Sequence, residues 1–338
     1  MPIAKLSNTE FANTELNNTE FNNNEFANLK INYLLLEPSS RAEDCHDFTA
    51  QPTLVMVHGL ATNFAFWHRI ATALSETHRV LLFDLRGHGR SSMPPTGYTA
   101  AQMAQDLHQL LTVLNIDAID LIGHSFGGTV ALQYTLQHPQ QVNRLVLADS
   151  RLKAFQPQQQ PSDWPHWERL QKVLTHLEID LAEDDPEAGY RLLTALADVQ
   201  VHRPDLIKTA PKWMHTLYPR GAGQATARRW LKLLDTTPAW SQLTTDSGLS
   251  KPQLSQIQHP ILAAYGENSS TLKTGHQLPT LWPHMQLHLI PEAGHFFPMS
   301  QPQAFIPLLQ TFLSPSHSSA SHSSASPSIS SAPALAAS

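Results

Sequence analysis

Residues 121–128 read Leu-Ile-Gly-His-Ser-Phe-Gly-Gly and contain the pattern G-x-S-x-G, with Ser125 at its centre. The mostly apolar stretch 116–122 before the serine predicts a short strand, and residues 129–138 after it predict a helix. A strand, a sharp turn and a helix with serine at the apex form a nucleophile elbow, which holds the serine in a strained backbone conformation. Such a turn needs neighbours without a Cβ atom, and three glycines supply them: Gly123, Gly127 and Gly128.

The composition is that of an ordinary globular chain, with 338 residues, 41% apolar residues and a formal charge of -6. The acidic balance gives no basic face for nucleic acid. A single cysteine, Cys45, excludes an intrachain disulfide and fits a reducing compartment. No signal peptide and no transmembrane run is visible, so we expect a cytoplasmic protein. The 19 histidines lack paired-ligand spacing, and we expect neither a metal nor a cofactor.

Both ends of the chain are compositionally biased. Residues 8–31 repeat with period five, and the apolar positions are Phe11, Leu16, Phe21, Phe26 and Ile31. Five short units are too few to bury a core by stacking. We therefore interpret residues 1–27 as a low-complexity, partly disordered extension that leads into one of the antiparallel edge strands that open the sheet, at about 29–36. Residues 314–338 are confined to Ser, Ala, Pro, His, Ile and Leu and predict a disordered tail.

Between the ends, apolar strands alternate with amphipathic helices. Strands are predicted at 53–57, 80–83, 144–148, 260–265 and 285–290, and helices at 63–74, 101–114 and 303–313. This alternation predicts an α/β fold with a mostly parallel sheet and helices on both faces, built from residues 28–150 and 259–313. Residues 151–258 lack strand-like runs and are rich in tryptophan, which predicts a helical cap inserted at the sheet edge.

Polar residues follow the apolar strands at their carboxyl ends, where α/β sheets bind ligands. They are His58, Asp84, Ser125, Asp149, Glu267 and His295. Serine is a poor nucleophile until a base takes its proton, and His295, in the sequence Gly-His-Phe-Phe-Pro after the last strand, is the candidate base. The backbone N–H groups of Leu60 and Phe126 are the candidate oxyanion hole, whereas His58 and His124 are interpreted as structural.

At this point the chain resembles the α/β-hydrolase superfamily from about residue 28 to 313. The resemblance lies in H-G-L, D-L-R-G-H-G-R-S, G-H-S-F-G-G and G-H-F-F-P, and it is greatest to the epoxide hydrolase, haloalkane dehalogenase and meta-cleavage hydrolase branch. The first two groups use an aspartate nucleophile, which Ser125 excludes. The resemblance implies a cofactor-independent serine hydrolase of small molecules that cleaves an ester, a thioester or a C–C bond.

The third member of the expected triad departs from this resemblance. The superfamily usually places its aspartate three residues after the glycine that ends the penultimate strand, and Ser269 stands there. Two carboxylates remain at strand ends near the serine, Asp149 and Glu267. Asp149 is favoured because it follows the strand next to the elbow. Glu267 directly follows Gly266, so its side chain projects from the backbone before the loop has turned towards His295.

The predicted function is therefore hydrolysis of an ester or thioester of an apolar small molecule through an acyl-enzyme on Ser125. Two alternatives remain open, a C–C bond hydrolase of ring-cleavage products and a ligand-binding member of the fold with slow or no turnover. The sequence indicates no oligomeric state.

Overall fold

The structure, a computed structural model, describes residues 29–38, 51–209, 223–245 and 248–314, and the backbone of residues 17–21. The described strands are β1 (Asn17–Phe21), β2 (Leu29–Leu36), β3 (Thr53–Val57), β4 (Val80–Phe83), β5 (Ile119–His124), β6 (Val142–Ala148), β7 (Ile261–Gly266) and β8 (Gln286–Ile290). The described helices outside the segment between β6 and β7 are α1 (His68–Leu74), α2 (Ala100–Val113), α3 (Phe126–Gln137), α10 (Leu272–Gln277), α11 (Phe297–Ser300) and α12 (Pro302–Leu313).

The described strands form one sheet in the order β1-β2-β4-β3-β5-β6-β7-β8. The pairs β1/β2 and β2/β4 are antiparallel, and every other neighbouring pair is parallel. Because β3, β5, β6 and β7 run parallel, their carboxyl ends meet at one edge of the sheet. The nucleophile elbow, at the end of β5, thus lies between the loops that follow β3 and β6.

The central strands are buried on both faces, as expected for a parallel sheet covered by helices. Alternate residues enter two separate apolar cores. Val55, Leu121 and Leu147 pack towards α2 and α3, whereas Met56, Ile122 and Val146 pack towards α1 and α12. The sequence-based expectation of an α/β sheet with helices on both faces is confirmed.

The amino-terminal edge of the sheet is antiparallel. Strand β2 occupies the range that the sequence predicted, and residues 17–21 of the repeat segment add β1 as the outer strand. The sequence patterns do not predict β1, and the interpretation of residues 1–27 as a partly disordered extension stays a prediction. Backbone hydrogen bonds to β2 do not depend on side-chain composition, so an Asn-rich unit can extend a sheet whose edge is open.

Between β6 and β7 the described regular elements are helices. The helices are α4 (Trp167–His176), α5 (Ala188–His202), α6 (Pro204–Thr209), α7 (Gln224–Thr236), α8 (Ala239–Thr244) and α9 (Lys251–Leu254). Their interpretation as a cap, residues 151–258, stays a prediction, and residues 315–338 of the predicted tail lie outside the described residues. Across the described ranges, no helix combines the length and apolar character needed to cross a bilayer.

The segment D-L-R-G-H-G-R-S after β4 is a loop that its own polar side chains fix to neighbouring elements. The Asp84 carboxylate accepts hydrogen bonds from the backbone N–H groups of Phe64 and Arg90, at 2.8 Å each, and from the side chain of Asn32. Arg86 forms a two-pronged ion pair with Asp106 on α2, and both side chains are buried. The polar residues of this segment therefore hold the loop against α2 and β2, and none of these contacts involves Ser125.

Replacing Asp106 with Asn should remove the carboxylate that forms the two-pronged ion pair with the buried guanidinium of Arg86. We expect the free energy of unfolding to fall by about 3 kcal/mol, as for other broken buried ion pairs. The measurement is urea unfolding followed by circular dichroism. Glu37→Gln is the matched control, because Glu37 pairs with Arg79 at the surface and such a pair contributes about 0–1 kcal/mol. Equal effects of the two substitutions would contradict this account.

Candidate active site

Ser125 stands in a conformation that few residues other than glycine adopt, with φ 56° and ψ −124°. Its N–H group donates to Ala148 O at 3.0 Å, and α3 begins at the next residue. The sequence predicted a helix start at 129, but the turn is so sharp that the helix begins at Phe126. The strain, worth roughly 1–3 kcal/mol, persists because the surrounding backbone is tightly packed.

Two glycines allow that packing. A Cβ atom at Gly123 would overlap the backbone of Gly127, and one at Gly127 would overlap the carbonyl oxygen of Val57. The backbones of β5, α3 and β3 therefore meet at distances that only glycine permits.

A continuous chain of hydrogen bonds joins Ser125 to a buried carboxylate. His295 Nε2 lies 2.9 Å from Ser125 Oγ, and His295 Nδ1 lies 2.7 Å from Asp149 Oδ1. Because an ionised carboxylate only accepts, Nδ1 carries the proton and Nε2 accepts from the serine hydroxyl. His295 is half-buried, and Asp149 is 0% exposed.

Four donors surround the Asp149 carboxylate. Besides His295, the hydroxyls of Ser269 and Thr271 donate to Oδ1, and the backbone N–H of Gly266 donates to Oδ2 at 2.8 Å. Burial alone would raise the pKa of this carboxyl, but the hydrogen bond and charge of His295, together with Gly266 and Ser269, outweigh burial and lower the pKa below its usual value. Asp149 is therefore ionised at neutral pH.

Glu267, the alternative acid, lies elsewhere. Its side chain is exposed, and its carboxylate accepts from the backbone N–H of Glu292 at 3.2 Å. The structure thus brings Asp149 to the imidazole and leaves Glu267 at the outer side of the loops.

The two candidate oxyanion residues flank the serine. Phe126 opens α3 directly after Ser125, so its N–H is one of the groups left unpaired at a helix start. Leu60 follows Gly59, which lies so close to the elbow that an added Cβ atom would sit 3.0 Å from Ser125 Cβ. Both residues line the same cavity as the serine.

The histidines beside the site are neutral framework groups. His58 accepts from Leu85 N–H at Nε2 and contacts Gly59 O at Nδ1, and burial lowers the pKa of His58 to about 4. His124 Nε2 lies 2.9 Å from the carbonyl oxygen of His295, and burial lowers the pKa of His124 to about 3. His124 therefore donates to the His295 backbone and holds that loop beside the elbow.

The serine opens into a cavity of about 260 Å³. Leucines of the helical segment form much of its wall: Leu170, Leu192, Leu193 and Leu196. Among the described tryptophans of this segment only Trp164 lines the cavity, while Trp230 is buried and donates to Thr194. Trp230 therefore packs in the core, and helical periodicity alone does not distinguish a core residue from a residue that lines a cavity.

Sequence reasoning also missed the role of Ser269 and Thr271. It treated Ser269 as the place where an acid is lacking, whereas the hydroxyl is a donor to the acid at Asp149. The signal was present as two hydroxyl residues, at 269 and 271, following a strand whose neighbour ends in an aspartate. In the part of the chain that the structure describes, no group of three or more metal-ligating side chains converges.

Taken together, these groups can perform nucleophilic acyl chemistry. A serine hydroxyl paired with a neutral imidazole can lose its proton as it attacks a carbonyl, and an ionised carboxylate can stabilise the imidazolium that results. Two N–H groups at the elbow can receive the developing negative charge.

Comparison with known proteins gives a consistent assignment. A family model described as alpha/beta hydrolase fold matches residues 52–302, which is most of the chain. Relatives that are 37% identical are matched over only 99 residues, and the chain spans 29% of their length.

Longer matches carry lower identity. A pimeloyl-(acyl-carrier protein) methyl ester esterase from Aeromonas hydrophila is 28% identical over 270 residues, covering 79% of this chain and 97% of the esterase. A 2-hydroxy-6-oxo-2,4-heptadienoate hydrolase from Pseudomonas putida is 26% identical over 282 residues, covering 80% and 91%. The crystal structure of the enol-lactonase from Burkholderia xenovorans superimposes with a TM-score of 0.56 at 19% identity, covering 85% and 97%, and shows the shared fold.

Replacing Asp149 with Asn should lower kcat by roughly four orders of magnitude, because the amide favours the wrong imidazole tautomer and cannot stabilise an imidazolium. Glu267→Gln is the matched control and should be mild, since the Glu267 carboxylate accepts from the Glu292 backbone and lies away from His295 among the described contacts. Steady-state hydrolysis of an activated ester measures both. A severe Glu267→Gln with a mild Asp149→Asn would reassign the acid, and two mild variants would indicate a Ser–His dyad.

Proposed function

The chain belongs to the α/β-hydrolase family, and we propose that it is a serine hydrolase acting on carboxylic esters of apolar small molecules, without a cofactor. One observation carries the proposal: the hydrogen-bonded series Asp149, His295 and Ser125 ends at the floor of a leucine-lined cavity. In this proposal Ser125 is the nucleophile, His295 the base and Asp149 the acid.

The proposed reaction begins with attack of Ser125 Oγ on the ester carbonyl carbon. His295 Nε2 takes the hydroxyl proton as the O–C bond forms, and Asp149 stabilises the imidazolium through its short contact with Nδ1. The carbonyl π electrons move to oxygen, where the N–H groups of Leu60 and Phe126 would stabilise the charge. When the tetrahedral intermediate collapses, the imidazolium gives its proton to the leaving alkoxide.

Deacylation reverses these roles with water. His295 accepts a proton from a water molecule as its oxygen attacks the acyl carbon, and the second collapse returns the proton to Ser125 Oγ. The products are one carboxylic acid and one alcohol. No step requires an oxidant, a metal or a second substrate other than water.

The cavity wall supports an apolar substrate. Four leucines, together with Trp164, Phe126 and Phe296, surround the space above the serine. Burying an apolar chain there would contribute about 25 cal/mol for each Å² removed from water. A relative named as a methyl ester esterase is consistent with this class of bond. A thioester would meet the same attack geometry.

A C–C bond hydrolase of ring-cleavage products is the second candidate, favoured by the similarity to the heptadienoate hydrolase across 91% of that enzyme. The slow or non-catalytic alternative rested on the serine at position 269. Because Asp149 contacts His295, that serine no longer argues against turnover.

Replacing Ser125 with Ala should abolish labelling by a fluorophosphonate and reduce ester hydrolysis by several orders of magnitude, while circular dichroism stays unchanged. A panel of p-nitrophenyl esters of increasing chain length provides the rates. Retained labelling in the alanine variant would disprove the assignment of the nucleophile. Labelling without ester turnover, but with cleavage of a vinylogous 1,5-diketone, would favour the C–C hydrolase.

The helical segment should set the substrate range. Leu193→Phe places a larger side chain at the cavity wall, so KM for long-chain esters should rise, while kcat for a short activated ester changes little. Leu206→Phe is the matched control, because Leu206 packs beside α4 and α5 without lining the cavity. An unchanged chain-length preference in Leu193→Phe would contradict the role of this segment.

A further inference from the structure

We propose that Ser269 and Thr271 are positioning residues whose hydroxyls hold the Asp149 carboxylate in the orientation that serves His295. This inference rests on the proposed function, because it assigns a role within the same serine–histidine–acid series. It goes further by giving position 269, where the acid was expected, a function of its own.

The geometry converges on a single oxygen. Asp149 Oδ1 accepts from Ser269 Oγ, Thr271 Oγ1 and His295 Nδ1, whereas Oδ2 accepts from the Gly266 backbone. The two hydroxyls also lie 3.1 Å from each other, and Thr271 N–H donates to Ser269 Oγ at 3.2 Å. Ser269 is 1% exposed and Thr271 is 3% exposed, so both residues are almost fully buried.

This convergence has a geometric consequence. Donors on both carboxylate oxygens fix the rotation of the carboxyl group about its χ2 axis, a torsion that is otherwise broad. With that plane fixed, Oδ1 stays in line with His295 Nδ1, and the ring stays turned towards Ser125. Loss of the hydroxyls would leave Gly266 as the one non-histidine donor among the described contacts of Asp149.

The convergence also explains why a hydroxyl occupies position 269. A second carboxylate there would lie within hydrogen-bonding distance of Asp149, and two such groups cannot both be ionised without a large cost. Once the acid follows β6, the loop after β7 must supply donors rather than another acid. Ser269 and Thr271 meet that requirement, and the loop is held from its other side by Gln156 and Gln159, which donate to Ser270.

The hydroxyls also affect the charge on the acid. The hydrogen bond from Ser269 helps to lower the pKa of the Asp149 carboxyl. Removing a donor should therefore raise the pKa of that carboxyl. The acid limb of the kcat/KM profile, which reports the essential groups of the free enzyme, should move to higher pH.

Other titratable groups lie near His295 and Asp149, but they do not account for a difference in the acid limb between variants. His124 on β5 is 4.8 Å from the His295 ring, and burial lowers the pKa of His124 to about 3. Burial raises the pKa of Tyr265 on β7 well above its ordinary value. Arg151, Glu267 and Glu292 lie on the adjoining loops and are identical in every variant below, so their effects cancel in the comparison.

The test is the pH dependence of kcat and kcat/KM for an activated ester in Ser269→Ala and Thr271→Val. Each variant should lose roughly tenfold in kcat, the worth of one hydrogen bond to a charged group, with little change in KM and an acid limb at higher pH. Thr274→Val is the matched control, because Thr274, on α10 directly after this loop, has a buried hydroxyl that bonds Gln156 and the Leu152 backbone but not Asp149. Its acid limb should stay at the wild-type position.

A double-mutant cycle separates positioning from general loop stability. In an Asp149→Asn background, Ser269→Ala should produce no further shift of the limb, since its partner charge is gone. Unchanged kinetics in folded Ser269→Ala and Thr271→Val, or an equal shift in Thr274→Val, would overturn the inference. The proposed function fails on a separate result: hydrolysis that persists in the Ser125→Ala variant, with Ser269 and Thr271 unchanged.

Discussion

A fully buried carboxylate is the constraint on which the site depends. Asp149 sits in the interior, where an ionised group is costly unless it is paired and hydrogen-bonded. Its donors come from three separate places: the end of β7 at Gly266, the following loop at Ser269 and Thr271, and the loop after β8 at His295. Satisfying one charge therefore brings the loops after β6, β7 and β8 together above β5.

The conformation of Ser125 depends on backbone packing instead. Ser125 keeps its positive φ because β3, β5 and α3 approach so closely that Gly123 and Gly127 tolerate no side chain. His124 then ties this rigid corner to the loop that carries His295, through a hydrogen bond to the backbone carbonyl. A neutral His124 suits that task, since it places a donor beside His295 without adding a charge. The strained serine and the buried acid thus face the imidazole from two independently fixed sides.

Sequence patterns predicted the parts of this arrangement that are encoded locally. G-x-S-x-G predicts the elbow. The strands β3 to β7 are buried on both faces, so each is a mostly apolar run that can be recognised in the sequence. Asp149 could be favoured over Glu267 because strand order places its strand beside the elbow. The bonds from Ser269 and Thr271 could not be predicted, since they join residues about 120 positions apart in the chain. The leucine-lined cavity and the strand at residues 17–21 were not predicted for a similar reason. Both depend on which surfaces of the folded chain meet, and the periodicity of the sequence carries no information about that.

A crystal structure of the chain after reaction with a fluorophosphonate tests the roles of Ser125, His295 and Asp149 most directly. We expect phosphorus bonded to Ser125 Oγ, with the phosphoryl oxygen facing the N–H groups of Leu60 and Phe126. We also expect His295 Nδ1 to bond Asp149, and Asp149 to bond Ser269 and Thr271, as in the unreacted protein. An adduct on another residue, or an imidazole turned from Asp149 towards Glu267, would contradict these roles.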